Sequence, residues 1–321
     1  MSKFLIGVLS VLISTNQEAA VSNLVETTTG ISVAVPAVPN PNDPLEKEYL
    51  KLLADDDAAQ SEVDQWISEN QSSTNASSTL RLRIEQRFEP VKKNYADFLE
   101  RNPKHVHAHL AYGSFLQEIR EEEEGAKHWE KARELDPTNP AAWNNLANYY
   151  GHRSPVRKSF EYYAKAIELD PTEPVYRWNF ATTVYLFRKD AMEFYGINET
   201  QVFDKALDLY RAAMKLAPND FILATDYAQS FYGTKPPRLQ DGLAAWKEVI
   251  KIARDDVERD GVRIHLGRIN WKLGHFDDAR KDLAAITSEM YAPTKKKILK
   301  NIEESEKKAK ETNSVFSTET K

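Results

Sequence analysis

Apolar positions at Tyr49, Leu52, Leu53, Val63, Trp66 and Ile67 fall at the spacing of one helical face and predict an amphipathic helix over residues 45–67. Asp55, Asp56 and Asp57 interrupt that stripe, and as consecutive acids they are expected to splay outward into water. The helix reads as an acidic N-terminal helical segment ahead of whatever follows. On either side of it the pattern fails. Residues 21–44 carry Thr27-Thr28-Thr29 and Pro36, Pro39, Pro41 and Pro44 without helical period, which predicts a disordered linker. Residues 68–79 are polar and of low complexity, too poor in apolar surface to offset their ordering entropy, so they read as a flexible linker. At the start of the chain Lys3, an apolar run from Phe4 to Ile13 and a polar stretch ending at Ala19-Ala20 give residues 1–20 the shape of a signal peptide. The run is too short for a membrane span. A secreted or periplasmic protein is expected from it, the alternative being a cytoplasmic one.

Beyond residue 80 a period takes over. Asn102-Pro103, Asp136-Pro137 and Asp170-Pro171 recur at intervals of 34 residues. The next such pair, Ala217-Pro218, comes 47 residues on, and the surplus fits an insertion around Arg188–Thr200. Within this frame large and small positions repeat. Residues 106–139 have Tyr112 and Gly113 in a first helix, then Gly125, Trp129 and Ala132 in a second. Residues 140–173 have Trp143, Leu146, Ala147 and Tyr150, then Ser159, Tyr163 and Ala166. Residues 174–220 have Phe180, Ala181 and Val184, then Ala206, Tyr210 and Ala213. Residues 221–256 follow with Tyr227, Ala228, Phe231, Gly242, Trp246 and Val249, and residues 257–293 with Leu266, Gly267, Gly274, Phe276, Ala279, Leu283 and Ile286. A partial repeat over 80–105 precedes them, with Val91, Tyr95, Phe98 and Pro103 in its second helix. Two helices packed 8–10 Å apart need a small side chain opposite a large one, and Gly113 facing Trp129 is such a pair. Proline then stops each second helix, because it lacks the amide hydrogen and disfavours helix in the residue before it.

These residues in this register resemble the tetratricopeptide repeat family. The resemblance implies an all-α fold, a right-handed superhelical solenoid of antiparallel helix pairs, in which each hairpin relies on its neighbours and the ends need caps. Residues 294–321 supply the C-terminal capping helix and tail, with Ile298 and Ile302 as its apolar stripe among many lysines. In the family the first helix of each repeat lines a concave groove. By that resemblance the partner-binding residues are Asn144, Asn145, Asn148, Trp178, Asn179, Thr182, Tyr185, Asp226, Gln229 and Arg268, joined by His107, Leu110, Ser114, Gln117, Thr225, His265 and Trp271. Amides offer donors and acceptors to an extended backbone, whereas Trp178 and Tyr185 would serve as apolar anchors. No Lys and Arg set suited to clamping a terminal carboxylate recurs at these positions.

Composition narrows the function without adding chemistry. A formal net charge of -6, with no long basic cluster, argues against nucleic acid as a partner. The absence of cysteine removes disulfides and thiolate-ligated metals. His105, His107 and His109 are dense enough to raise a metal site, but no His-Glu-x-x-His pattern accompanies them, and they are read as polar residues opening a helix. The run Glu121–Glu124 falls at a turn, where negative charge suits the start of the next helix. Asn198-Glu199-Thr200 is a formal glycosylation acceptor. No phosphate-binding glycine loop or nucleophile elbow occurs. The expectation is a non-enzymatic scaffold with no catalytic residue, cofactor or metal, binding a segment of another protein. The alternative is an envelope assembly factor or the non-catalytic subunit of an enzyme complex.

Overall fold

A computed structural model describes residues 43–70, 77–153 and 156–318. The signal-peptide segment, nearly all of the first linker and residues 71–76 of the second lie outside the described residues. Among the described residues there is helix and no strand. The chain divides after Phe180 into two compact units.

The first unit contains α1 (Pro44–Asn70), α2 (Ser77–Arg101), α3 (Val106–Glu118), α4 (Glu122–Leu135), α5 (Pro140–Gly151), α6 (Arg157–Leu169) and α7 (Pro174–Leu186) as far as Phe180. Successive helices pair as α1 with α2, α3 with α4 and α5 with α6, and their short connections make the partners antiparallel. Sequence dictates the breaks. Asp136 accepts from the amide (3.0 Å) and hydroxyl (2.6 Å) of Thr138, and Asp170 does the same for Thr172 at 2.9 and 2.7 Å. Asn139 then caps α5 by accepting from Ala141 N at 3.0 Å, with Pro140 in the first turn, where its missing amide hydrogen costs nothing. Inside the α3–α4 hairpin Trp129 is fully buried and donates from Nε1 to Leu110 O at 3.1 Å. In the α5–α6 hairpin Ser159 stands where Gly125 stands in the previous one, and its Oγ donates to Ala147 O at 2.8 Å.

Two expectations for α1 are corrected. The helix is continuous through Asp55–Asp57, and Asp56 is not splayed into water but 6% exposed. It accepts from Gln60 Nε2 at 2.7 Å and from Tyr95 OH at 2.9 Å, and these bonds replace the water it loses. The segment packs on the repeats: Tyr49, Leu52 and Leu53 share one core with Tyr95 and Phe98 of α2 and Phe115 of α3.

The second unit holds the rest of α7, then α8 (Arg188–Tyr195), α9 (Glu199–Leu216), α10 (Phe221–Ser230), α11 (Leu239–Val249), α12 (Asp256–Lys272), α13 (Phe276–Ala284) and α14 (Ala292–Thr318). The inserted segment forms the short helix α8, ended by Gly196 in the left-handed conformation (φ 65°), after which Asn198 and Gln201 make a reciprocal capping box that starts α9. Asp220 and Asp255 cap α10 and α12 by accepting from Leu223 N and Glu258 N. Trp246 anchors the central core with Phe231, Val249, Leu266 and Ile269. At the end of the chain Ile298 and Ile302 of α14 bury against Ile264, Ala279, Leu283 and Ile286, and Arg280 holds Glu306 at 2.6 Å. Lys295 donates to Ile286 O at 3.1 Å, while Lys296, Lys297, Lys300, Lys307 and Lys308 are exposed, so a hydrophilic helix closes the apolar end.

Candidate functional site

The first helices of the repeats carry the residues of interest, and helical phase decides which of them reach solvent. On α5, Asn144 and Asn145 have no exposed surface. Asn144 Nδ2 donates to Asn145 Oδ1 and its Oδ1 accepts from Asn179 Nδ2 of α7, both at 3.2 Å, which ties the two first helices together. The groove assignment of Asn144 and Asn145 is therefore corrected. Their amides face the neighbouring first helix, not an occupant, and Asn145 Nδ2 is left buried without a partner. Asn148 is half-buried and accepts a short hydrogen bond from Tyr163 OH. Asn179 and Trp178 keep part of their surface.

On α3 the same correction applies to Leu110, which is fully buried, and to Ser114, whose Oγ donates to Leu110 O. His105 caps the helix, its Nδ1 accepting from Ala108 N at 3.0 Å. His109 Nε2 lies 3.1 Å from Pro103 O and its Nδ1 lies 2.9 Å from His128 Nδ1. A carbonyl only accepts, so His109 carries its proton on Nε2 and accepts from His128. Burial pushes the His128 and His107 imidazoles down to about 4 and lowers His109, which keeps them neutral. No group of three or more His, Cys, Asp or Glu side chains among the described residues is placed to hold a metal ion.

Glu121 at the N-cap of α4 and the three acids of its first turn are distributed over basic partners: Glu121 with Lys92 (2.6 Å), Glu122 and Glu123 with Arg153 (3.0 and 3.3 Å), and Glu124 with Lys127 (2.6 Å). Beside them a shallow depression of about 500 Å³ is lined by Ala126, Glu130, Glu134, Tyr149 and Tyr150.

In the second unit Thr182 Oγ and Tyr210 OH share a hydrogen bond of 2.8 Å, and Tyr185 packs on Phe203 beneath Arg188. Gln229 is exposed, and Asp226 and Arg268 are half-exposed. His265 stacks flat on Trp246, with centroids 4.0 Å apart, and its Nδ1 meets Tyr232 OH at 3.0 Å; burial and the Arg268 charge push its pKa down to about 4. Trp271 donates to Ser305 Oγ of α14 at 2.9 Å, so it serves the cap. Sequence reasoning missed a further group on α1 and α3. Asp56, Asp57, Asp64 and Glu118 all have carboxyl pKa values raised mainly by burial, Asp56 to about 7 and Asp57 to about 6. The acidity of α1 was a visible signal, but its inward face was not.

No helix among the described residues is long and apolar enough to cross a membrane. The family described as TmcB, TPR repeats matches residues 47–139, which run from α1 to the end of the α3–α4 hairpin. No curated protein matches the chain. Among solved structures, PilW, a widely conserved type IV pilus biogenesis factor, superposes with a TM-score of 0.52 at 16% identity, covering 71% of this chain and 99% of that one. The C-terminal part of a TPR repeat-containing protein from Cytophaga hutchinsonii gives 0.50 at 13% identity, covering 80% and 98%. The stacked hairpins, the small-on-large pairs within them and these likenesses agree: the chain has the fold of a tetratricopeptide-repeat protein, and its residues 47–139 match the model of one class of such repeats.

Proposed function

We propose that this protein is a non-enzymatic scaffold that binds an extended segment of another protein along the first helices of its repeats. The observation that carries the reading is a division of labour on those helices. Their apolar faces are consumed by packing, as with Leu223, Ala224 and Ala228 of α10, while Gln229 is exposed and Tyr185 and Arg268 keep part of their surface. Polar groups of mixed donor and acceptor character beside an aromatic ring suit a backbone with scattered side-chain anchors. The apolar run Phe4–Ile13 supports export to a secreted or periplasmic site as part of the same proposal.

Selection of random displayed peptides on the full-length protein tests the binding reading. Peptides are expected that lose at least tenfold in affinity when Tyr185, Gln229 and Arg268 are together replaced by alanine. Failure to select any peptide, or equal binding by the variant, would overturn it. Cell fractionation with N-terminal sequencing of the mature protein tests export. A retained Met1 in the cytoplasmic fraction would refute that part.

A further inference from the structure

Helices α1 and α3 are the first helices of neighbouring hairpins and run side by side in the same direction. Near their starts Tyr49 OH donates to His107 O at 3.3 Å and the Tyr49 ring lies 4.8 Å from that of His105. An equal climb along both helices from that contact brings Glu118 level with Gln60. Asp57 and Asp64 lie a turn before and a turn after Gln60 on the same helical face. Glu118 is accordingly close enough to feel the charges of Asp56, Asp57 and Asp64.

Only Asp56 of this group has its hydrogen bonds made, from Gln60 and Tyr95. Glu118 is half-buried, but its Oε1, like the adjacent Gln117 Oε1, has no contact with water and meets no donor. Among the described residues no lysine or arginine pairs with any of the four carboxyls. A buried acceptor left unmet carries its full desolvation penalty, so a donor supplied from outside is favoured there. Asp57 and Asp64 keep part of their surface in water, and the cluster is therefore reachable from outside.

The geometry selects among cations. A metal ion needs three or more ligands converging within coordination distance, and that convergence is absent here. An organic cation on a long apolar stem spreads its donors over a wider span. A guanidinium offers five N–H groups in a plane, and an ammonium three. We infer that the α1–α3 face receives an arginine or lysine side chain of the bound segment, between Asp57, Asp64 and the Oε1 atoms of Gln117 and Glu118. The inference rests on the proposed binding reading and specifies its chemistry. Burial keeps these carboxyls protonated more readily than usual, so entry of the cation is expected to release protons.

The test uses the full-length protein with 13C-labelled carboxyls, titrated with Nα-acetyl-arginine amide and, separately, with the neutral isostere Nα-acetyl-citrulline amide. Saturable shifts of the Asp57, Asp64 and Glu118 resonances are expected with the arginine probe and not with citrulline. Glu118→Gln and Asp57→Asn should each weaken binding of the arginine probe at least tenfold, whereas Glu69→Gln, at an exposed position of the same helix, should leave it unchanged. Both site substitutions nearly preserve side-chain size and shape, and circular dichroism would verify that the variants are folded. No saturable shift, an equal response to citrulline, or undiminished binding by Glu118→Gln would overturn the inference. Peptide selection that still depends on Tyr185, Gln229 and Arg268 would leave the broader binding reading standing in that event.

Discussion

Trp129 occupies the space that Gly113 leaves empty. A Cβ on Gly113 would lie 2.5 Å from Cδ1 and Nε1 of the indole and 2.9 Å from Gly125 O, and the indole cannot yield because Nε1 is bonded to Leu110 O within a filled core. Gly113→Ala is expected to cost about 1–3 kcal/mol by overpacking. Gly125→Ala should cost more, since its Cβ would meet Gly113 O, a backbone atom, at 2.6 Å. Urea unfolding followed by circular dichroism measures both, and an unchanged midpoint for either variant would contradict the packing described.

The acids of α1 and α3 set a pH dependence with a definite sign. Asp56, Asp57 and Glu118 have folded pKa values raised by burial, so their contribution is full below the unfolded values near 4 and is lost as pH rises through the folded ones. Glu118→Gln removes one such group without breaking a protein hydrogen bond at Oε1. The variant should therefore gain on the wild type as pH rises above the unfolded value near 4. A stability difference independent of pH would show that Glu118 is not held protonated by the fold.

His265 provides the opposite sign. Its pKa is pushed down to about 4 by burial and by Arg268, so the stability it confers is present above the unfolded value near 6.5 and is lost as pH falls toward 4. His265→Phe keeps a flat ring over Trp246 but cannot take up a proton. The wild type is expected to lose ~1–3 kcal/mol relative to this variant between pH 7 and pH 4. Parallel unfolding curves across that range would contradict the assignment.

What could be read in advance follows from local chemistry. Asp136-Pro137 and Asp170-Pro171 end helices wherever they occur, and the Gly113–Trp129 pair is determined by register within one hairpin, so both were legible. The burial of Asp56 was not. Consecutive helical residues point about 100° apart, so Asp55, Asp56 and Asp57 cannot share one face, and Asp56 turns inward to meet the hydroxyl of Tyr95 on the next helix. Asn144 and Asn145 failed as exposed residues for a related reason. The family pattern places α5 in the groove wall but does not fix its rotation to within one residue, and Asn179 of the next repeat captures the amide. Polar residues on a first helix therefore divide into those that bind a partner and those that join one repeat to the next, and only contacts between repeats tell them apart.

That division yields the last expected outcome. Asn144→Ala removes the donor to Asn145 Oδ1 and the acceptor of Asn179 Nδ2, leaving amide groups unmet in a region without water. A loss of about 1–3 kcal/mol is expected in the first unit. Gln229→Ala alters an exposed position and should shift stability by no more than about 0.5 kcal/mol. Affinity for a selected peptide should respond in the reverse order, with Gln229→Ala weakening it at temperatures where both variants are fully folded. A stable Asn144→Ala protein that nonetheless loses the peptide would place the amide in contact with the partner, and the connecting role assigned to it here would be wrong.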